Sequence, residues 1–388
     1  MKKLFLILMP MVFMETSCGL EEQLLSEIEE EIEYDTITID SNTSLLVPVN
    51  GFSYSLNGAG RGNGDNTPAD NPVTDAGAAL GKVLFYDRQL SLNSTRSCGS
   101  CHIQSMGFAD GVQFSEGFNG EFTGRNSMSL ANSRFYRNGR FFWDERAATL
   151  EDQVLMPIQD AKEMGMTLDE AVSRIAASDF YDDLFIAAFG DSAVSSERMS
   201  LALAQFVRSM DSFSSRFDQA GLGQGRGRGG PPGRRGGGGG PDNGLSELEN
   251  QGRRLFFSGR TNCGRCHQGA ALSGNRARNN GLSILNDDLG KAGASGDNGD
   301  LAEFKVPSLK NIEVTGPYMH DGRFASLEEV VEHYNSGVVD NGNLDIRMRT
   351  ALNLDAQEKS ALLAFMKTFT DEAFLSDPKF SDPFVRSE

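Results

Sequence analysis

The chain has 388 residues, and its 54 Asp and Glu against 36 Lys and Arg give a formal net charge of −18. A chain of this length can form two or three domains with cores of ordinary size. The acidic balance argues against a nucleic-acid partner, because binding to phosphates requires clustered Lys and Arg.

The first residues have the pattern of an export signal. Lys2 and Lys3 precede an apolar run, residues 4–14, that is too short to span a bilayer. Residues 1–18 are therefore predicted to be a signal peptide. Cys18 stands where a bacterial lipoprotein carries its lipid-modified cysteine, although Glu15 replaces the aliphatic residue usual there; ordinary cleavage with an incidental Cys18 is the alternative. Either route predicts an exported protein, periplasmic or held to the membrane by a lipid anchor and facing the periplasm.

Composition divides the rest of the chain. Residues 19–40 contain seven Glu and two Asp without any Lys or Arg, so residues 19–70 are predicted to be an acidic, flexible tether. Residues 221–244 contain 13 Gly, three Pro and four Arg and cannot bury apolar surface. This Gly-rich segment is predicted to be a linker between one domain at 71–220 and a second domain at 245–388.

The two predicted domains are expected to be helical. Four capping boxes, in which a Ser, Thr or Asp is followed three residues later by Glu, precede periodic apolar runs. They begin at Thr167, Ser246, Ser326 and Asp355. Helices are predicted over 196–216 and 355–369, and strand patterns are confined to 35–55. The predicted fold class is all-α with extensive loops.

One five-residue pattern, CxxCH, occurs at residues 98–102 and again at 263–267, and takes four of the five cysteines and two of the four histidines. In a c-type haem site the two thiols add across the haem vinyl groups, and the adjacent His binds the iron as its proximal ligand. We therefore expect two covalently bound haems c. Their attachment residues are Cys98, Cys101 and His102 in the first half and Cys263, Cys266 and His267 in the second.

A thioredoxin-like redox pair and a zinc site are the alternatives for these cysteines. A redox pair does not need a His after its second Cys, and here that His is present twice. The 161 residues between Cys101 and Cys263 far exceed the usual spacing between the halves of a zinc ribbon. Accidental CxxCH matches in this composition are expected roughly 7 × 10⁻⁴ times per chain, so haem attachment is favoured.

The two halves repeat more than the haem motif. An apolar pair ends a predicted helix before each motif, and an SLxN sequence follows at 129–132 and again at 308–311. Further on, an offset of 177 residues aligns Trp143 with His320, Asp144 with Asp321, Arg146 with Arg323, Leu150 with Leu327 and Glu151 with Glu328. This repeat predicts two cytochrome c-like domains that arose by duplication.

The two copies differ at one informative position. The same offset places Pro157 opposite Tyr334, and proline cannot bind iron whereas a tyrosine phenolate can. If this position lies over the distal haem face, the first haem is open to a small molecule and the second is closed by Tyr334. Met319 and His333 are competing sixth ligands, and an ordinary half-buried helix residue is the other interpretation of Tyr334.

Two long runs of the sequence resemble the bacterial di-haem cytochrome c peroxidase and MauG superfamily. The first is GRNSMSLANSRFYRNGRFFWDERAATLEDQVLMPIQDAKEM, from Gly124, and the second is KVPSLKNIEVTGPYMHDGRFASLEEVVEHY, from Lys305. The resemblance extends over roughly residues 71–370 and matches both halves in order and spacing. It implies a two-domain α-helical protein with a peroxide-reactive haem in the N-terminal domain and an electron-transfer haem in the C-terminal domain.

The resemblance also implies roles for single residues. Glu163 and Gln153 match the polar pair of the family's peroxide pocket: Glu163 would move a proton between the two oxygens of hydrogen peroxide, and Gln153 would hold the peroxide by hydrogen bonding. Trp143, the only tryptophan, matches the electron relay between the haems. A calcium site between the domains is implied at the side chain of Asn126 and the carbonyls of Thr315 and Pro317.

Two departures from the classical peroxidases point toward MauG. Residues 114–126, FSEGFNGEFTGRN, lack the His that caps the resting N-terminal haem in those enzymes, so the first haem is expected to be open without reductive activation. Tyr334 stands where those enzymes carry a methionine. An anionic oxygen ligand stabilises ferric iron and lowers the haem potential, whereas methionine raises it.

Together these patterns predict an exported di-haem peroxidase that reduces hydrogen peroxide to water at the haem of His102. Electrons are expected from a small redox protein, cytochrome c or a cupredoxin, by way of the haem of His267 and Trp143. One alternative keeps the site and changes the substrate: a MauG-like enzyme that oxidises residues of a partner protein. The other is a non-enzymatic electron carrier, against which Glu163, Gln153 and an open distal face argue.

Overall fold

A computed structural model describes residues 34–40, 43–48, 52–54, 64–222, 244–284 and 287–386. The predicted signal peptide with Cys18, and the central residues of the Gly-rich segment, lie outside this part of the chain. Among the described residues, no helix is both long enough and apolar enough to cross a membrane.

Helices account for most of the regular secondary structure in the described residues. They are, in chain order, α1 (Asp75–Tyr86), α2 (Cys98–Cys101), α3 (Leu150–Gln159), α4 (Leu168–Ala176), α5 (Phe180–Phe189), α6 (Ser196–Ser209), α7 (Arg216–Gln219), α8 (Glu247–Phe256), α9 (Cys263–Cys266), α10 (Ala292–Ser295), α11 (Leu327–Glu332), α12 (Ala356–Lys367) and α13 (Glu372–Ser376). Three strands, β1 (Tyr34–Asp40), β2 (Thr43–Pro48) and β3 (Phe384–Arg386), form one antiparallel sheet in which β2 is central. Apart from this small sheet, the fold is helix-rich, as predicted.

The sheet joins the two ends of the described chain. β2 pairs with β1, with Tyr34 opposite Pro48, and with β3, with Leu45 opposite Phe384. The strand pattern at 35–55 predicts β1 and β2 correctly. The expectation of a flexible tether does not hold for β1, because its alternating Thr and Ile favour an extended backbone in spite of the acidic residues around them.

The helix that begins at residue 196 is shorter than predicted. α6 ends at Ser209, because the side-chain amide of Asn132 holds the backbone of Ser212. The Asn132 Oδ1 accepts from Ser212 N at 3.0 Å, and its Nδ2 donates to Ser212 O at 3.1 Å. The hydroxyl of Ser212 donates to the carboxylate of Asp371 at 3.2 Å. These long-range contacts turn the chain toward the second half.

The predicted capping boxes are formed in three of the four cases. Ser246, Ser326 and Asp355 each cap their helix reciprocally with the Glu three residues later. Thr167 accepts from the backbone N–H of Glu170, but the Glu170 carboxylate pairs with Arg174 at 3.0 Å. Local sequence therefore locates these helix starts well, and α12 departs from its predicted range by one residue at the start and two at the end.

Each half is built on one crossing of two helices. α1 packs on α6 in the first half, and α8 packs on α12 in the second. A glycine permits each close approach: a Cβ on Gly81 would lie 2.0 Å from the carbonyl oxygen of Ala202, and one on Gly252 would lie 1.9 Å from that of Ala361. A separate cluster of buried apolar side chains surrounds each crossing.

Gly252→Ala should destabilise the second half. The new Cβ would force α8 away from α12, which costs about 1–3 kcal/mol of unfolding free energy and outweighs the gain in helix propensity of about 0.5–1 kcal/mol. Gly259→Ala is the control, because a Cβ there meets no atom within 4 Å. Thermal unfolding followed by circular dichroism measures both; equal midpoints for the two variants would contradict the proposed role of Gly252.

Candidate active site

The two CxxCH motifs adopt the same local structure. In each motif the two cysteines are the first and last residues of a single helical turn, α2 or α9, and the His follows directly. Residues three apart on a helix share a face, so both sulfurs of a motif point the same way. The thiols of Cys98, Cys101, Cys263 and Cys266 are free of disulfide bonds. This arrangement suits attachment to the two vinyl groups of one haem.

The proximal histidines are oriented by backbone carbonyls. His102 Nδ1 lies 2.8 Å from the carbonyl oxygen of Phe108, and His267 Nδ1 lies 3.2 Å from the carbonyl oxygens of both Leu272 and Pro307. A histidine whose Nδ1–H donates in this way presents its Nε2 lone pair to a metal. Burial lowers the pKa of His102 and lowers that of His267 to about 4, so both rings are neutral, as an iron ligand must be.

A cavity of about 220 Å³ lies next to the second motif. Cys263, Cys266 and His267 line one part of it, and Tyr334 and Met319 line another. Paired thiols, a neutral proximal imidazole and an apolar cavity between them and a second ligand are what a covalently attached haem requires. The residues present therefore fit this group.

Tyr334 enters the cavity from a turn of π-helix, His333–Gly337, that follows α11. Its hydroxyl accepts a hydrogen bond from Asn280 Nδ2 at 3.4 Å, and the same nitrogen lies 3.5 Å from Met319 Sδ. Burial, which outweighs the hydrogen bond from Asn280, raises the pKa of Tyr334 to about 12. His333 points elsewhere, since its Nε2 lies 3.2 Å from the Asn280 carbonyl oxygen and it is not among the residues that line the cavity.

Glu163 lies in the loop after α3, close to the first motif. The carboxyl is half-buried, and its pKa is raised to about 7, chiefly by burial and then by the charge of Asp160. Its charge also contributes to raising the pKa values of Cys98 and Cys101, after burial as the main cause, so the carboxyl lies within electrostatic range of both thiols.

The remaining residues of the predicted peroxide pocket lie on α3. Gln153 and Pro157 are four residues apart and therefore share a face of this helix. The backbone N–H of Met164 donates to the carbonyl of Pro157 at 3.2 Å, which ties the loop that carries Glu163 to the end of α3. The local backbone thus brings the three predicted pocket residues into one region of the first half.

Trp143 lies between the two motifs. Its ring borders the cavity of the second motif, and its Nε1–H donates to the carbonyl of Asn126 at 2.8 Å. The next residue, Ser127, donates to the carbonyl of Cys101 at 2.9 Å, and its hydroxyl lies 3.4 Å from His102 Nδ1. Two hydrogen bonds, joined through the adjacent residues Asn126 and Ser127, therefore connect Trp143 to the proximal side of the first motif.

The predicted calcium site involves three residues of the cavity lining. Asn126, Thr315 and Pro317 all border the same cavity. The Asn126 Nδ2 donates to the carbonyls of Val112 and Gln113 at 3.0 and 3.3 Å, so the side-chain oxygen is the atom that remains for a cation. Among the described residues, no group of three or more His, Cys, Asp or Glu could hold a metal. The implied site consists of an amide oxygen and carbonyls instead.

Three contacts at the site have no signal in the sequence. Asn280 bridges two candidate haem ligands, Ser127 contacts the first motif, and Phe304 stacks on His320 with ring centroids 3.6 Å apart. His320 in turn meets the edge of Trp143 at 6.5 Å. Asn280 and Phe304 lie in irregular segments without a motif, so only the fold reveals their positions.

The chain is similar to several known proteins. Residues 75–226 match the family model described as di-haem cytochrome c peroxidase. The methylamine utilization protein MauG of Methylorubrum extorquens is 33% identical over 309 residues, which cover 79% of this chain and 81% of that protein. The chain belongs to the di-haem cytochrome c peroxidase and MauG family. A cytochrome c551 peroxidase of Nitrosomonas europaea is also 33% identical, over 79% of this chain and 83% of that protein.

A solved structure agrees with this di-haem family assignment. The crystal structure of a MauG-like protein associated with microbial copper homeostasis has a TM-score of 0.70 and 33% identity, and the match covers 86% of this chain and 99% of that one. As a di-haem cytochrome c peroxidase and MauG family member, the protein carries two haems c and is a peroxidase-type oxidoreductase. The prediction of two haems c is confirmed.

Proposed function

We propose that this peroxidase reduces hydrogen peroxide to water at the haem of His102. Electrons come one at a time from a small redox protein, a cytochrome c or a cupredoxin, and pass the haem of His267 and Trp143. The observation that carries the proposal is Glu163, a half-buried carboxyl beside the first motif whose pKa of about 7 suits a group that both accepts and returns a proton at neutral pH.

The protein's own groups handle the protons. Reduction of one hydrogen peroxide consumes two electrons and two protons and yields two waters. The bound haem supplies the iron that passes electrons to the O–O bond. The Glu163 carboxylate takes the proton from one peroxide oxygen and delivers it to the other, which then leaves as water. Gln153 holds the peroxide by hydrogen bonding.

The two halves act unequally in this proposal. We infer that they descend from one duplicated cytochrome module, which the matching glycine contacts at Gly81 and Gly252 support. Pro157 offers no ligand in the first half, so that haem stays open to peroxide. Tyr334 closes the haem of His267 as its sixth ligand, with Met319 as the alternative because it borders the same cavity.

Asn280→Leu should perturb the second haem without removing its ligand. The substitution takes away the hydrogen bond from Nδ2 that favours an anionic Tyr334 oxygen. We expect a small shift of the charge-transfer absorption of the second haem and weaker binding of the tyrosine. Redox titration followed by absorbance measures it. A spectrum identical to that of the wild type would show that Asn280 does not act on Tyr334.

Two further assignments complete the proposal. The protein is exported and acts in the periplasm, free or anchored through a lipidated Cys18. One Ca²⁺ binds between the halves at Asn126, Thr315 and Pro317, whose oxygen donors suit this ion. The hydrogen-bonded position of Asn126 between the two motifs supports a structural role for that ion.

A MauG-like oxidation of a partner protein is the second candidate. Tyr334 favours it, because an anionic ligand lowers the potential of the second haem and lets both haems share oxidising equivalents. Relatives named MauG and cytochrome c551 peroxidase match this chain at the same identity. Membership of a peroxidase family and the raised pKa of the half-buried Glu163 carboxyl argue against the non-enzymatic carrier.

Stopped-flow mixing with hydrogen peroxide separates the two candidates. Rapid oxidation of an added reduced cytochrome c supports the peroxidase. An oxidised state of the enzyme that persists for seconds and ignores the cytochrome supports oxidation of a partner protein. A ferric enzyme that shows two low-spin haems by electron paramagnetic resonance (EPR) would contradict the open first haem on which both candidates depend.

A further inference from the structure

A buried cluster of three ionisable side chains lies beside Trp143, outside the groups used so far. Tyr136, Glu145 and Lys305 are 2%, 1% and 6% exposed. The Tyr136 hydroxyl donates to Glu145 Oε1. The other carboxyl oxygen, Glu145 Oε2, is buried without a hydrogen-bond partner in the described part of the chain. A carboxylate with a free oxygen can accept a proton without first breaking another bond.

Lys305 connects this cluster to the haem cavity. Its ammonium lies 4.2 Å from the centre of the Tyr136 ring, and its backbone N–H donates to the carbonyl of Trp143 at 2.7 Å. The residue also borders the cavity of the second motif. Among the described residues Lys305 forms no ion pair within 4.0 Å. Tyr136 is therefore one side chain away from the cavity and from the backbone of the electron relay.

The left-handed backbone conformation of Glu145 indicates that its carboxylate has a role that glycine could not fill. Glu145 adopts a left-handed conformation with φ 56°, which is unfavourable for a residue with a Cβ. The position 177 residues later, Gly322, has φ 62° and carries the residue that this conformation favours. Glycine would satisfy the turn in the first half as well. A glutamate at this position costs conformational energy, which its carboxylate must offset.

Charge around Tyr136 determines how it can be oxidised. The Lys305 cation over the ring disfavours a cationic tyrosine radical, so the proton must leave with the electron. Burial and Glu145 raise the pKa of the Tyr136 hydroxyl above its ordinary range, so the phenol keeps its proton until it is oxidised. Glu145 is the acceptor already in place.

We propose that Tyr136 is a redox-active tyrosine that stores one oxidising equivalent beside the haem cavity of the second motif, with Glu145 as its proton acceptor. One electron leaves Tyr136 and passes to the Trp143 relay, while the phenolic O–H bond breaks and a bond forms from that proton to Glu145. The products are a neutral phenoxyl radical and a neutral carboxylic acid. Hydrogen peroxide is the oxidant, and the small redox protein later returns the electron while Glu145 returns the proton.

Storage of this kind resolves a mismatch in electron count. Each hydrogen peroxide removes two electrons, whereas a cytochrome c or a cupredoxin delivers one at a time. A buried tyrosine with its own proton acceptor holds the second equivalent until another donor arrives. The inference rests on the proposed peroxidase function and adds a residue to it.

Rapid-freeze EPR after addition of hydrogen peroxide, without an electron donor, tests the proposal. Wild-type protein with ring-deuterated tyrosine should show a narrower organic-radical signal than unlabelled protein, whereas ring-deuterated tryptophan should leave this signal unchanged. At equal haem content, Tyr136→Phe should lose the tyrosine signal, and Glu145→Gln should reduce it at least tenfold. Tyr181→Phe is the matched control, because Tyr181 is equally buried and donates to the carboxylate of Asp87 at 2.6 Å.

Each other outcome has a defined meaning. A tyrosine signal that persists in Tyr136→Phe, or that is lost equally in Tyr181→Phe, overturns the proposal. A wild type that consumes peroxide but shows no tyrosine signal overturns it while leaving the peroxidase function intact. A wild type that does not consume peroxide overturns the proposed function, and the stored equivalent with it. The comparison of the two labelled wild-type proteins needs no variant, so a folding defect cannot obscure the result.

Discussion

Glu163→Gln should reduce kcat/KM for hydrogen peroxide by at least about 10²-fold, the usual contribution of a general acid-base group. Glutamine keeps the size and the hydrogen-bonding capacity of the side chain but cannot take up or release a proton. Haem content and the spectra of both haems should stay as in the wild type. Steady-state peroxide reduction, with a reduced cytochrome c as donor, measures the effect.

The pH profile gives a second, independent measurement of this prediction. Burial and Asp160 raise the pKa of Glu163 to about 7, and its first task is to accept a proton. The wild-type kcat/KM should therefore rise as pH increases through about 7 and then level off, and Glu163→Gln should lack this rise.

The same shift acts on stability. The pKa of Glu163 is 4.5 in the unfolded chain and about 7 in the folded protein, so the folded state binds this proton more tightly. The unfolding free energy should therefore decrease as the pH rises from 4.5 to about 7. Glu163→Gln should remove this pH dependence of unfolding.

A surface carboxylate of the same half provides the control. Glu170 is exposed on α4 and pairs with Arg174 at 3.0 Å. Glu170→Gln should leave both the rate and the pH profile as in the wild type. Equal rates for Glu163→Gln and the control would show that Glu163 takes no part in the chemistry.

Covalent and local chemistry explain what the sequence predicted correctly. A c-type haem needs two thiols three residues apart and an adjacent His, so two copies of that spacing predict two haems. Capping depends on a side chain and a backbone N–H three residues on, so the starts of α8 and α12 follow from Ser246 and Asp355. In both cases the interacting groups are close along the chain.

Contacts between distant residues explain what the sequence did not predict. α6 ends at Ser209 because Asn132, 77 residues earlier, holds the backbone that follows. Lys305 reaches Tyr136 from the other half of the chain. Such pairs leave no periodic pattern, since each partner looks like an ordinary polar residue within its own segment.

Tyr334→Phe should have the largest effect on the second haem. Burial raises the pKa of the Tyr334 hydroxyl to about 12, so it would remain protonated at neutral pH unless a cation lay beside it. Ferric iron is such a cation, and it stabilises the phenolate on binding. Removal of the oxygen should convert the haem of His267 from six-coordinate to five-coordinate and raise its potential on the order of 0.1 V, since axial ligands set haem potentials over about 0.8 V.

Two variants of neighbouring residues make this test decisive. Tyr318 borders the same cavity, and its hydroxyl donates to the carbonyl of Ile312 at 2.9 Å, so Tyr318→Phe removes a buried phenol without removing the proposed ligand. EPR and redox titration should show a change for Tyr334→Phe and none for Tyr318→Phe. Met319→Leu distinguishes the competing ligand, because it should leave the haem six-coordinate if Tyr334 binds the iron. An unchanged Tyr334→Phe together with an altered Met319→Leu would assign the sixth position to methionine.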